Sequence, residues 1–165
     1  MIIKGVICIS EYRIKDIDSA IMGFRGQYSF LSNMYEGSMF EYRGLRYKNV
    51  EAAFQSRKNT KREQDFEMLT GKEAKQLGRH VALRKDWEQV KYGIMYEIVY
   101  LKFTKNKELQ AKLLETDDRE LIELNTWNDK TWGVVYNSTT KKYEGDNMLG
   151  KILMGVREAI RHNYK

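Results

Sequence analysis

Residues 39–58 read MFEYRGLRYKNVEAAFQSRK, and the hydrophobic period changes within this stretch. In MFEY and LRYK, polarity alternates on either side of Arg43-Gly44, a two-residue connection in which Gly44 can adopt positive φ. This spacing predicts a β-hairpin. From Asn49 onward the pattern turns helical: Asn49 can cap, and VEAAFQSRK continues a helix over 50–59. A hairpin feeding into a helix, within a chain whose other periodic segments are mostly helical, predicts an α+β fold that is mostly helical with a small β-hairpin element.

Working outward, the β-branched run IKGVICI at 3–9 suggests a strand. Thr70 and Glu73 form a capping-box pattern that opens a helix over 71–79. Asp86 with Gln89 offers a similar start for the longest helix, 87–104, where Trp87, Val90, Ile94, Ile98 and Leu101 recur at steps of three and four. Asn106 begins another helix through 115, and 119–124 suits helix or strand equally. Residues 125–146 form a long irregular stretch with two tryptophans. Asn147 then caps a final helix with an apolar stripe of Leu149, Ile152, Leu153, Val156 and Ile160. With no proline, repeat or low-complexity tract, nothing reads as a linker, and residues 1–165 are expected to form one domain. So long a loop inside a domain is more often functional than idle. A cleft is therefore expected where helix 50–59 faces the 125–146 loop.

Composition removes several classes of function. The longest apolar run, GIMYEIVYL at 93–101, contains Glu97 and falls short of the roughly 20 residues of a membrane span. The N-terminal MIIKGVICIS has a lysine within its apolar run and no small-residue cleavage site, so a cytoplasmic location is expected. Cys8 is the only cysteine, and His80 and His162 the only histidines, which leaves neither an internal disulfide nor a multi-thiolate metal site. No metal and no cofactor are expected. Thr70-Gly71-Lys72 looks like the end of a phosphate-binding loop, but the upstream glycine is missing and Glu73 stands where Ser or Thr would bind magnesium, so an ATPase is rejected. The net charge of +6 and pI near 9.2 create a field that favours polyanions such as nucleic acids, nucleotides and pyrophosphates. Scattered lysines and arginines also serve a soluble surface.

Steps of four and three place Glu51, Gln55 and Lys58 close to one line on a helix. Glu51 and Lys58 are about 10 Å apart along such an axis at 1.5 Å per residue, too far for the neighbour pairing of an ordinary surface ion pair. Each is either solvent-exposed or paired elsewhere, or both face a cleft and flank a bound molecule. The second arrangement suits chemistry at a sugar carbon. A carboxylate can stabilise positive charge at an anomeric carbon or manage protons for a departing base. A lysine kept neutral by a desolvated pocket can attack the carbonyl carbon of a ring-opened sugar and form a Schiff base.

Several segments together resemble the NADAR family, small domains associated with NAD and ADP-ribose metabolism. FRGQYSFLSNMY at 24–35 is similar to its N-terminal signature, with Phe30, Ser32, Asn33 and Tyr35 in place, and NVEAAFQSRK to its Glu/Phe/Gln/Lys helix. AKQLGRHVALRKDWEQVK at 74–91, LIELNTWNDKTWG at 121–133 and GDNMLGKILMGVR at 145–157 are similar to the remaining blocks, so the likeness runs from about 24 to 158. The stretch VVYNSTTKKYE, 134–144, departs from relatives that are shorter and glycine-rich there. That departure bears on substrate choice more than on the core chemistry.

The resemblance implies an N-glycosyl hydrolase acting on ADP-ribose or ribose-phosphate conjugates. The leading expectation is removal of ADP-ribose from guanine bases in nucleic acid or nucleotides, with ADP-ribosylated nucleic acid as the larger partner. Hydrolysis of phosphorylated riboflavin-biosynthesis intermediates and non-catalytic reading of ADP-ribose or nucleic acid are the alternatives. Carried over by position, Glu51 manages protons or the anomeric cation, Lys58 forms the Schiff base, and Asp129 orients substrate or water. Gln55 belongs to the same helix motif, and Phe30 and Gly133 to the matching blocks. Trp87, Trp127 and Trp132 could stack on a base or pack against ribose, or simply fill core. Arg25 and Arg84 could meet a pyrophosphate through bidentate hydrogen bonds, and Arg25 could equally be an ordinary surface arginine. Ser32 and Asn33 could bind ribose hydroxyls or make a local turn, and Asn147 could cap a helix end that faces phosphate.

Overall fold

In chain order the elements are β1 (Ile21–Met22), β2 (Phe40–Tyr42), β3 (Leu45–Tyr47), α1 (Val50–Ser56), α2 (Gly71–Gly78), α3 (Trp87–Lys105), α4 (Lys107–Leu114), β4 (Leu121–Ile122), β5 (Val135–Asn137), β6 (Lys142–Glu144) and α5 (Met148–Asn163). Short 3-10 turns occupy Gly26–Leu31 and Glu63–Phe66. The computed structural model describes residues 10–163, so the strand expected over 3–9 and Cys8 lie outside the described residues. The architecture is α+β, with helices around three two-stranded ladders among the described residues.

The change of period at residue 49 is realised as a change of structure. β2 and β3 pair antiparallel, with Tyr42 opposite Leu45. Arg43 and Gly44 take φ of 53° and 81°, a two-residue turn whose twist matches a hairpin. Asn49 then accepts from the Ala52 N–H and donates to the Leu69 carbonyl, both within hydrogen-bond distance at 2.8 and 3.0 Å. It caps α1 and ties it to the chain entering α2. α1 ends at Ser56, three residues earlier than the pattern suggests, so Lys58 lies in the turn that follows. The capping box of Thr70 and Glu73 is formed in both directions.

Two predicted caps are not made. Asp86 does not cap α3; its carboxylate pairs with the guanidinium of Arg84 at 2.6 and 2.9 Å. Asn147 does not cap α5 through its side chain. The first N–H groups of that helix go to loop carbonyls instead, Met148 to Thr131 at 3.1 Å and Leu149 to Trp132 at 3.0 Å. With those donors satisfied, the Asn147 side chain reaches the β4 region, accepting from the Glu123 N–H and donating to the Leu121 carbonyl. The end of α5 is therefore closed by protein rather than open to phosphate.

β4 resolves the ambiguous 119–124 segment as strand, paired parallel with β1 across about a hundred positions of chain, Ile21 opposite Leu121. The 125–146 stretch is less irregular than expected. Its second half folds into the β5–β6 hairpin, in which Tyr136 and Tyr143 meet at a 5.1 Å ring separation. α3 packs against α5, α1, α4 and β2. Trp87, Ile94 and Ile98 are buried as their spacing suggests, while Val90 and Leu101 are only partly so. Met95, Val99 and Phe103 are also buried because partners lie on several sides of this helix. The α5 stripe of Leu149, Ile152, Leu153, Val156 and Ile160 is buried throughout. Among the described residues, no helix is long and apolar enough to cross a membrane.

Candidate active site

α1, the turn after it, the Ser32-Asn33 segment, the start of α3 and the 123–132 segment enclose a cleft of about 590 Å³. That is within the usual range of small-molecule sites. Glu51, Gln55, Lys58, Ser32, Asn33, Trp87, Trp127, Asp129 and Trp132 all line it. So do Met34, Phe54, Lys75, Lys91, Met95, Glu123, Thr131 and Leu149, which the sequence reading left out.

Glu51 is 8% exposed, and Gln55 donates to its Oε1 at 2.7 Å. Its backbone N–H donates to the Asn33 carbonyl at 3.0 Å, locking α1 to the Ser32-Asn33 segment. Burial pushes the Glu51 carboxyl above the usual carboxylate range; the Gln55 hydrogen bond and the charges of Lys75 and Lys58 pull the other way, and Asp129 adds to the rise. Burial also pulls the Lys58 amine below its ordinary value, opposed by Glu51 and aided by Lys75 and Arg79. Lys58 Nζ reaches the Gly78 carbonyl at a long 3.4 Å, and the Lys58 carbonyl accepts from the Arg84 N–H at 2.8 Å. Among the described residues Lys58 forms no ion pair. An acid and an amine thus share one cleft, each shifted toward its neutral form, without neutralising each other.

Asp129 organises its own loop. Its Oδ1 accepts from the N–H groups of Thr131 and Trp132 at 3.0 and 2.9 Å, while Asn125 brackets its backbone. Phe54 forms an aromatic wall with Trp87 and Trp132, at ring separations of 5.0 and 5.2 Å. Trp127 stands at 55% exposure on the rim, free to stack. Ser32 makes the local turn, accepting from the Met34 N–H at 3.1 Å, and Asn33 reaches Met95.

The remaining candidates lie outside the cleft lining. Phe30 is core, edge-on to Phe103. Arg84 is committed to Asp86, and its main chain supports Lys58. Arg25 is exposed, near enough to Glu123 to influence its charge. Gly133 and Asn147 are buried behind Glu123. None of residues 134–144 lines the cleft; most of them form the β5–β6 hairpin instead.

α1 and α2 approach closely because Gly78 lacks a side chain. A Cβ there would lie 1.9 Å from Gln55 Oε1. Gly78→Ala is expected to displace the Gln55 amide from Glu51 and lower kcat/KM on the order of 10²-fold, since small displacements at a reacting centre have effects of that size. The obstruction is the end of a flexible side chain, so the thermal midpoint should fall only slightly. Steady-state kinetics and a melting curve check both halves.

Behind the Ser32-Asn33 segment, Lys102 of α3 is 1% exposed and donates to the Ser32 carbonyl at 2.9 Å. Burial pulls its amine down to about 7. Between that value and the ordinary lysine value the unfolded chain binds more protons, so this group's contribution to stability rises with pH across the window. Its burial penalty is complete below pH 7. Lys102→Met is therefore expected to compare more favourably with the parent at pH 6 than at pH 10, by on the order of a few kcal/mol. Denaturant titrations at the two pH values measure this, and an equal difference at both would contradict it.

The NADAR domain model matches residues 23–161. An N-glycosidase of Nostoc punctiforme, Npun_R5314, is 43% identical over 95 residues, covering 56% of this chain and 57% of the relative. The N-glycosidase YbiA of Escherichia coli is 39% identical over 82 residues, 50% of this chain and 48% of that protein. The chloroplastic riboflavin biosynthesis protein PYRR of Arabidopsis thaliana is 36% identical over 75 residues, 46% of this chain and 12% of PYRR. These alignments span about half the length of the N-glycosidases. The NMR structure of E. coli YbiA superposes with a TM-score of 0.72 at 30% identity, covering 88% of each chain. The chain belongs to the NADAR domain family.

Proposed function

We propose that the chain, acting as one domain in the cytoplasm, is an N-glycosyl hydrolase that removes ADP-ribose from guanine in nucleic acid or nucleotides. The observation that carries this reading is the pair Glu51 and Lys58, lining one cleft with burial shifting each toward its neutral form and no ion pair joining them. A neutral amine is a nucleophile, and a carboxyl near its transition between forms can take and return a proton.

In this mechanism the bond between the anomeric carbon and the base nitrogen breaks, and its electron pair leaves with the nitrogen, which gains a proton. The Lys58 amine takes the anomeric carbon and gives its surplus proton to Glu51. Return of that proton to the ring oxygen opens the sugar and leaves a protonated Schiff base. Water then releases the sugar and regenerates the amine. Asp129 supports the site by holding the loop that presents Trp132, with Trp127 and Trp132 offered to the base or ribose.

Two features favour a large anionic substrate: the exposed rim ring of Trp127 and the additional cation of Lys75 in the cleft. A second reading, hydrolysis of phosphorylated riboflavin intermediates by the same residues, is favoured by the similarity to PYRR. Incubation with an ADP-ribosylated guanine oligonucleotide and, separately, with the pyrimidine ribose phosphates distinguishes them. Release of free ADP-ribose from the first is expected. Turnover of the second alone would reverse the assignment, and turnover of neither would remove the hydrolase reading.

A further inference from the structure

A third carboxyl faces the cleft, and nothing in the mechanism above uses it. Glu123 follows β4 directly and lines the same cleft as Glu51 and Lys58. Its main chain is held on both sides: the N–H donates to Asn147 Oδ1 at 3.0 Å, and the carbonyl accepts from the Val134 N–H at 2.9 Å. Gly133 makes this position possible, because a Cβ there would stand 2.3 Å from the Glu123 carbonyl oxygen and 3.1 Å from its Cγ. Gly133 and Asn147 are thereby positioning residues for Glu123. The side chain itself is not similarly engaged: Oε2 is buried and accepts no hydrogen bond from the described residues. A rigid backbone carrying an unpartnered buried carboxyl oxygen into a cleft is the geometry of a proton donor.

We propose that Glu123 is the general acid that protonates the departing base. This rests on the N-glycosyl hydrolase reading and completes it. As the bond between the anomeric carbon and nitrogen breaks, the electron pair goes to nitrogen and the Glu123 carboxyl supplies the proton. Glu123 leaves the step as a carboxylate. It regains a proton from the water that hydrolyses the Lys58 adduct, whose hydroxyl ends on the sugar, so the sum is addition of water across the glycosidic bond. Burial pushes the Glu123 carboxyl up to about 7, Asp129 of the facing loop adds to the rise, and Arg25 and Lys75 of α2 pull it down. The acid form is thus populated near neutral pH.

The test compares wild type with Glu123→Gln on two leaving groups. One is a guanine or pyrimidine amine, which needs a proton to leave; the other is a pyridinium N-riboside, whose base departs neutral without one. Glu123→Gln is expected to lose about 10²- to 10⁴-fold in kcat/KM on the first and less than tenfold on the second. Turnover of the pyridinium substrate together with an unchanged melting curve shows that the variant is folded. In wild type, kcat/KM on the first substrate should fall as pH rises through about 7, and that limb should be missing from Glu123→Gln. Equal losses on both leaving groups, or an unchanged pH profile, would overturn the assignment while leaving the hydrolase reading intact. A wild-type chain inert toward every N-glycoside would overturn both.

Discussion

Lys58→Met is expected to reduce turnover by about 10³-fold or more while raising the thermal midpoint. Removing a covalent nucleophile eliminates the path it creates, and a loss of that size corresponds to about 4 kcal/mol of transition-state stabilisation. The gain in stability follows from the same burial that activates the amine. Lys58 is held below its ordinary value chiefly by desolvation, so the folded chain carries a penalty for it that is complete at pH values below the folded-state value and fades as pH approaches the ordinary lysine value. Methionine has similar length and no charge to desolvate. The stabilisation should therefore be largest in neutral and acidic buffer and shrink in strongly alkaline buffer. A variant that loses activity together with stability would point instead to a structural lysine. Lys58→Arg should be equally inactive, because a guanidinium remains charged and is no nucleophile.

Glu51→Gln is expected to lower kcat by about 10²- to 10⁴-fold with a small change in KM. The amide keeps the size of the side chain and can still accept from Gln55, so α1 and its contact with the Asn33 carbonyl should persist. What disappears is the group that removes the surplus proton after Lys58 attacks. Because burial raises the Glu51 carboxyl, the carboxylate form is lost at higher pH than for an ordinary glutamate, and activity should fall as pH drops through that range. That acid limb should be absent from Glu51→Gln. An acid limb that survives the substitution would assign the proton traffic to another group.

Much of the fold could be read from the chain because the relevant signals are local. The turn at Arg43-Gly44, the Asn49 cap and the Thr70 and Glu73 capping box each depend on residues within a few positions of one another, and each is present. The cap assigned to Asp86 was not realised because Arg84, two residues earlier, takes its carboxylate, and the cap assigned to Asn147 was not realised because its side chain goes to the strand region at 121–123, distant in sequence. The same non-locality hid part of the candidate site. Glu51, Gln55 and Lys58 share one motif, but Glu123 is brought to them by the packing of β4, which pairs with β1 and lies against α5. One local signal pointed to it: Glu123 stands at the head of the LIELNTWNDKTWG block, ahead of Asp129 and Trp132. Arg84, assigned to pyrophosphate from its charge, has its guanidinium committed to Asp86, a pairing that charge alone could not reveal.

The most direct test of the account is reductive trapping during turnover. Borohydride added to enzyme and ADP-ribosylated guanine substrate should fix the sugar to the protein, and peptide mapping by mass spectrometry should place the adduct on Lys58 alone. An adduct on Lys75 or Lys91, or turnover that leaves no reducible adduct, would contradict the claim that the half-buried amine sharing the cleft with Glu51 carries the reaction.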